Sequence, residues 1–211
     1  MSSEPFSLER LDPTLAEQVA RDLIAVEEKL LASATTTDPF ISEVASHLAQ
    51  AGGKRLRPML CLIAGQIGKP THELVDAAVV VEITHLATLY HDDVMDEAEK
   101  RRGAESVNSR WNNTLAILTG DFLFAKASQI LANLGPDAVL LQAETFERLV
   151  SGQIHETVGP EENVDSIHHY LQVLSDKTGS LIATSARFGG MFSGLPTPAL
   201  SALSSYGEAL G

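Results

Sequence analysis

The chain has 211 residues, 44% of them hydrophobic, enough to bury a full core in one domain of ordinary size. Its 28 acidic against 15 basic residues give a net charge of −13, which opposes a nucleic-acid or anionic-membrane partner; an anionic ligand would need the basic residues gathered locally. A single cysteine, Cys61, excludes a disulfide framework within the chain and disfavours a cysteine-based zinc site.

Met1 to Pro13 carries Glu4, Glu9 and Asp12 and has no basic region followed by an apolar stretch, so no secretory signal is expected and the protein is placed in the cytoplasm. Residues 1–38 read as a peripheral N-terminal helix and loop, the polar stretch Ser33 to Asp38 and Pro39 marking the break. Ile41, Val44, Ala45 and Leu48 follow the i, i+3, i+4, i+7 spacing of a helix, and so do Leu60, Ile63, Ala64 and Ile67. Gly52-Gly53 separates the two, and Pro58 suits the first turn of the second.

After Gly68-Lys69-Pro70 a longer apolar pattern runs from Leu74 to Tyr90 into a run of acids. Val79 to Val81 alone would suit a strand, but the length of the pattern and its lack of alternation predict a helix. Because Glu82, Thr84 and His85 interrupt Ala77 to Tyr90, which also falls short of the roughly 20 residues a spanning helix needs, no transmembrane segment is expected. Further helices are predicted over Thr114 to Ala132, Ala138 to Thr157, Asp165 to Phe192 and Thr197 to Leu210, with Gly135-Pro136, Gly159-Pro160 and Gly194 to Pro196 between them. The fold class is all-α, as one domain over 1–211.

The sharpest chemical feature is His91-Asp92-Asp93-Val94-Met95-Asp96, followed by Glu97, Glu99 and Lys100-Arg101-Arg102-Gly103. On a continuing helix Asp92 and Asp96 share a face with Cβ atoms about 5–6 Å apart, where like charges repel by roughly 0.2–0.5 kcal/mol. Such a pair makes sense as a holder of hard cations: Mg²⁺ takes one or two carboxylates and completes its octahedron with water and substrate phosphate. His85 lies two turns back on the same face. The second feature is Gly52-Gly53-Lys54-Arg55-Leu56-Arg57-Pro58, where flexible glycines, three cations and a helix start together make an anion site. Taken singly, an acidic helix end or a basic loop is often only solvated surface.

GGKRLRP paired with a downstream HDDVMD and RRG resembles the trans-isoprenyl diphosphate synthases, especially bacterial polyprenyl diphosphate synthases, over about Ala49 to Gly194. Gly120-Asp121-Phe122-Leu123, Gly152-Gln153-Ile154-His155-Glu156 and Lys177-Thr178-Gly179 also look like the family. The resemblance implies an antiparallel helix bundle of the isoprenoid synthase type around a central substrate cavity, and a homodimer. It implies that the enzyme condenses isopentenyl diphosphate with an allylic prenyl diphosphate. Lys54, Arg57, His85 and Arg102 would hold the isopentenyl diphosphate, Asp92 and Asp96 would bind Mg²⁺ with Asp93 in support, and Arg101, Lys177 and Thr178 would meet the allylic diphosphate. Family members close the elongation tunnel with bulk at the fourth and fifth positions before the first aspartate. Here these are Thr88 and Ala87, both small, so a long-chain product is expected, with a deeper floor from Phe122, Phe124 or Phe146.

The family's second aspartate-rich motif has no counterpart here: after Lys177-Thr178 the only acid is Glu208, so the domain is expected to be C-terminally incomplete. Two alternatives follow from the same residues. One is a catalytically silent subunit of a heteromeric prenyl synthase. The other is an HD-type metal phosphohydrolase, with His91-Asp92 joined by His47, His72 and His85 as ligands.

Overall fold

The computed structural model describes residue 8 and residues 11–160, 162 and 164–211 of the chain. Ten α-helices account for nearly all of its regular structure among the described residues: α1 Pro13–Ser33, α2 Pro39–Gln50, α3 Leu56–Gly65, α4 Glu73–Met95, α5 Val107–Arg110, α6 Asn113–Leu134, α7 Pro136–Val158, α8 Ser166–Leu174, α9 Ser180–Met191 and α10 Thr197–Leu210. Local signals set most of their limits. Asp12, Asp38, Asn112 and Asp165 accept backbone N–H groups at four helix starts, and prolines stand in the first turns of α1, α2, α7 and α10. The predicted helix over Asp165 to Phe192 is a continuous helical run with one π turn in it, Ser175–Gly179.

Helix α4 is the axis of the bundle. It is apolar on every side, and Leu74, Ala77 to Ile83, Leu86, Ala87 and Tyr90 are buried against α1, α3, α6 and α9. By length and composition alone α4 and α6 would suffice to cross a bilayer; in this bundle 67% of the α4 stretch and 33% of the α6 stretch is buried inside the protein. Helix α1, read from the sequence as peripheral, contributes Val19, Val26 and Leu30 to the same core. Ile67, expected on the buried face of α3, lies beyond its end and is exposed.

A feature the periodicity did not predict is a small hairpin, β1 Lys100–Arg101 with β2 Ala104–Glu105, in which Arg101 faces Ala104. Its two-residue turn has both central residues left-handed, Arg102 at φ 54° and Gly103 at φ 80°, the geometry that matches strand twist. The hairpin folds the basic residues back beside the acidic end of α4.

Two buried side-chain contacts tie helices of the bundle together. The Tyr90 hydroxyl, fully buried, donates to the carbonyls of Val44 at 2.8 Å and Ala45 at 3.1 Å and accepts the Leu48 N–H at 3.3 Å, tying α4 to α2. Gln142 on α7 donates to the Thr84 hydroxyl at 2.8 Å. Tyr90→Phe keeps the ring and removes these bonds, so it should destabilise the protein by about 1 kcal/mol. A urea titration checks this, with a lower midpoint and an unchanged slope as the expected result.

Candidate active site

The acidic end of α4, the first turn of α3, and the wall formed by α7 and the π turn meet at one cavity of about 500 Å³. Its polar lining includes Arg57, His85, Asp92, Gln153, Lys177 and Thr178, and its apolar lining includes Ile117, Phe124, Phe146, Leu149 and Ile154. Charge therefore lies along one part of a mostly apolar chamber, the form expected of a site for an amphipathic ligand.

The loop before α3 does not present three cations. Arg55, left-handed at φ 49° and buried, turns inward. Its Nη1 donates to Glu82 at 2.8 Å, its Nε and Nη2 hold Glu27 on α1, and Nη2 also donates to the Ala49 carbonyl at 3.0 Å. Arg57, two positions further on and inside α3, is the one that reaches the cavity, where its buried Nε has no hydrogen-bond partner. Lys54 stands exposed in the loop.

Arg102 comes from the hairpin turn and passes over the glycine pair. It donates to the Gly52 carbonyl and lies 3.5 Å from Glu82. A Cβ on Gly53, which has φ 151°, would stand 2.8 Å from the Arg102 guanidinium carbon, so a side chain there would push Arg102 out of place. Arg101 donates from Nε to Asp93 Oδ1 at 2.6 Å, its Nη2 pairs with the same oxygen at 2.6 Å, and Asp93 is fully buried with its Oδ2 unpartnered. Asp93 is thus committed to Arg101, while Asp92 faces the cavity and Asp96, the C-cap of α4 one turn on, is exposed.

The electrostatics follow from this layout. Burial, and after it the guanidiniums of Arg57, Arg102, Arg101 and Arg55, holds His85 well below its ordinary 6.5, so it is neutral at pH 7 and can donate one N–H and accept at the other nitrogen. Burial raises the Asp92 carboxyl above the usual carboxylate range; Lys177 opposes that and Asp96 adds to it. A carboxylate raised by burial and a like neighbour gains from a cation placed between the pair. Among the described residues no group of three or more His, Cys, Asp or Glu is arranged to hold a metal. Asp92 and Asp96 do not form a closed cage; the raised Asp92 carboxyl beside Asp96 suits a hard cation that also takes ligand oxygens, as Mg²⁺ does.

Lys177 and Thr178 reach the cavity from the π turn, and Lys177 pairs with Glu156 on α7 at 2.5 Å. Glu156 and Gln153 were missed as site residues, although the stretch Gly152 to Glu156 that carries them was legible as a motif. Thr88 lines the cavity as expected, but Ala87 is fully buried, its carbonyl 3.1 Å from where a Cβ on Gly120 of α6 would lie. Of the three phenylalanines considered for the floor, Phe124 and Phe146 line the cavity with ring centroids 4.3 Å apart; Phe122 meets Lys126 instead. The histidines of the phosphohydrolase alternative do not assemble. His47 bonds the Glu105 carbonyl and stacks edge-on with Trp111, and His72 is exposed at the opposite end of α4 from His91.

Residues 38–211 match the family model described as polyprenyl synthetase. The chain is 48% identical over 202 residues to the nonaprenyl diphosphate synthase of Mycobacterium tuberculosis, covering 95% of this chain and 60% of that protein. It is 37% identical over 192 residues to heptaprenyl diphosphate synthase component 2 of Geobacillus stearothermophilus, covering 90% of this chain and 60% of that one. The crystal structure of geranylgeranyl pyrophosphate synthase from Corynebacterium glutamicum, complexed with calcium and isoprenyl diphosphate, superposes with a TM-score of 0.85 at 46% identity, covering 94% of this chain and 62% of that one. The chain spans about 60% of the length of the curated relatives it matches.

The neutral, buried His85 carries a pH signature. Its pKa in the folded protein lies below the unfolded value, so as pH falls below 6.5 the unfolded chain takes up the proton and the folded one does not. Wild type should lose stability relative to His85→Gln over that range, read as melting temperature against pH; parallel curves would mean that His85 is not held neutral.

Proposed function

The chain belongs to the polyprenyl synthetase family, and on that premise we propose that it serves as a Mg²⁺-dependent trans-prenyltransferase, condensing isopentenyl diphosphate with an allylic prenyl diphosphate to give a long-chain all-trans polyprenyl diphosphate. The observation that carries this reading is the division of the cavity: a carboxylate, an arginine and a lysine at its polar part, and an aromatic and aliphatic wall behind them. The protein is proposed to act in the cytoplasm as a homodimer.

In this reading Lys54, Arg57, His85 and Arg102 hold the diphosphate of isopentenyl diphosphate, Arg57 through its unpartnered Nε. Arg101, Lys177 and Thr178 meet the allylic diphosphate, and Lys177 leaves Glu156 to do so. Mg²⁺ held by Asp92 and Asp96 would supply charge neutralisation for the departing diphosphate. The fixed cations act most strongly where negative charge develops on the leaving group, which stabilises the transition state more than the bound substrate. The apolar wall keeps water from the allylic cation until the alkene of isopentenyl diphosphate has attacked it and a proton has been lost. No nucleophilic side chain is required. A silent subunit is the second reading; the relative named component 2 is consistent with it, but Asp92, which faces the cavity with Asp96 kept one turn on against their mutual repulsion, favours an active site.

The test is incubation with labelled isopentenyl diphosphate and farnesyl diphosphate, with Mg²⁺ or with EDTA, and separation of dephosphorylated products by length. Mg²⁺-dependent elongation is expected, falling about 10²–10³-fold in Asp92→Asn. No elongation by a preparation that also copurifies with a second subunit would favour the silent-subunit reading.

Product length has its own test. Thr88→Phe should shorten the products because Thr88 faces the cavity, and Phe146→Ala should lengthen them by removing half of the Phe124–Phe146 pair. Ala87→Phe should instead cost about 1–3 kcal/mol of stability by overpacking the contact with α6. An unchanged product distribution in both Thr88→Phe and Phe146→Ala would contradict this account of the tunnel.

A further inference from the structure

The π turn Ser175–Gly179 is closed by the Ser180 N–H bonding to the Ser175 carbonyl. Such a turn inserts one residue into an α-helix and occurs mostly where surroundings hold it. Its effect is rotational: one residue is about 100° of helix, so gaining or losing it swings the following side chains by roughly that angle. Lys177 and Thr178 sit inside the turn and line the cavity, whereas Asp176, the preceding residue, is buried on another side.

One guanidinium grips this turn from outside. Arg148 on α7 donates from Nε to Asp176 Oδ1 at 2.9 Å, and from Nη2 to the Ser175 hydroxyl at 3.1 Å and the Ser175 carbonyl at 3.3 Å, the carbonyl that closes the π ring. The same group holds both carboxylate oxygens of Glu208 on α10, which also accepts from the Ser175 hydroxyl at 3.1 Å. Gln172 occupies the second Asp176 oxygen at 2.8 Å. Four residues along α7 from Arg148, and so on the same face, Gly152 is pressed against the turn: a Cβ there would lie 2.9 Å from the Lys177 backbone nitrogen and 3.0 Å from Asp176 Cβ. None of Arg148, Asp176 and Glu208 lines the cavity.

We propose that Arg148, with Asp176 and Glu208, is a positioning residue that fixes the π turn and thereby aims Lys177 and Thr178 at the allylic diphosphate. This rests on the reading of the cavity as a prenyl diphosphate site. Arg148 is 39% exposed at its side chain but Asp176 only 12%, so removing the guanidinium leaves a buried carboxylate unpaired behind the turn. The cluster acts on geometry: it denies the turn its alternative winding, in which the lysine leaves the cavity.

The experiment is calorimetric titration of the 211-residue protein with farnesyl diphosphate in Mg²⁺ and, separately, with isopentenyl diphosphate, for wild type, Arg148→Met, Arg148→Lys and Glu208→Gln. Farnesyl diphosphate should bind about tenfold more weakly to Arg148→Met, as is usual when a partner behind a ligand is removed, and by an intermediate amount to Arg148→Lys and Glu208→Gln. The affinity for isopentenyl diphosphate should stay at the wild-type value. Equal weakening of both ligands, or a lower melting temperature with both affinities intact, would overturn the positioning role and leave only a structural one. The two single-step variants keep the test open should Arg148→Met fail to fold. Wild type binding neither diphosphate would instead overturn the reading of the site itself.

Discussion

One buried carboxylate organises the basic half of the site. Glu82 sits in the middle of α4, 1% exposed, in a helix whose other buried positions are nearly all apolar. A charge there is costly unless it is paired and hydrogen-bonded. The pairing requirement draws Arg55 inward, brings Arg102 across from the hairpin, and leaves Arg57, in the first turn of α3, as the arginine that reaches the cavity. Removing one member of such a set would leave the others buried without compensation, so the loop before α3, the hairpin turn and α1, held through Glu27, are coupled through a single side chain.

Two non-glycine residues in this network have left-handed backbone, Arg55 and Arg102. That conformation costs an ordinary side chain about 1–2 kcal/mol. Both residues are tied down by bonds to Glu82 or to backbone carbonyls, which is the circumstance in which such strain persists. The result is a fixed frame of paired arginines beside Arg57, the arginine that faces the cavity.

The opposite wall is arranged by different means. There the π turn places a lysine and a threonine where a regular helix would present other side chains, and the neighbouring helices α7 and α10 hold it from behind. Between the two walls the acidic end of α4 supplies Asp92 and Asp96, and below them the Phe124–Phe146 pair marks the apolar interior. Charge, counter-charge and apolar space thus come from separate elements that converge on one volume.

The long helices, their approximate limits and the family were legible in the chain of residues, because apolar periodicity, proline and glycine breaks and caps are local and the three signatures are contiguous strings; the short α5 was not. Also legible was that Asp92 and Asp96 share a face, since helix geometry follows from spacing alone. The partners of the polar side chains came from the packing of the folded chain. Arg55 and Arg57 are chemically alike and two positions apart, yet one is consumed by Glu27 and Glu82 and the other faces the cavity. Ala87 and Thr88 are adjacent and both small, yet one packs against α6 and the other lines the chamber. The hairpin and the π turn were equally illegible, for each is stabilised by residues distant in the chain, Arg102 by Gly52 and Glu82, Asp176 by Arg148. Periodicity reports which residues turn away from water; which polar groups meet depends on contacts between elements, and those contacts exist only once the chain has folded.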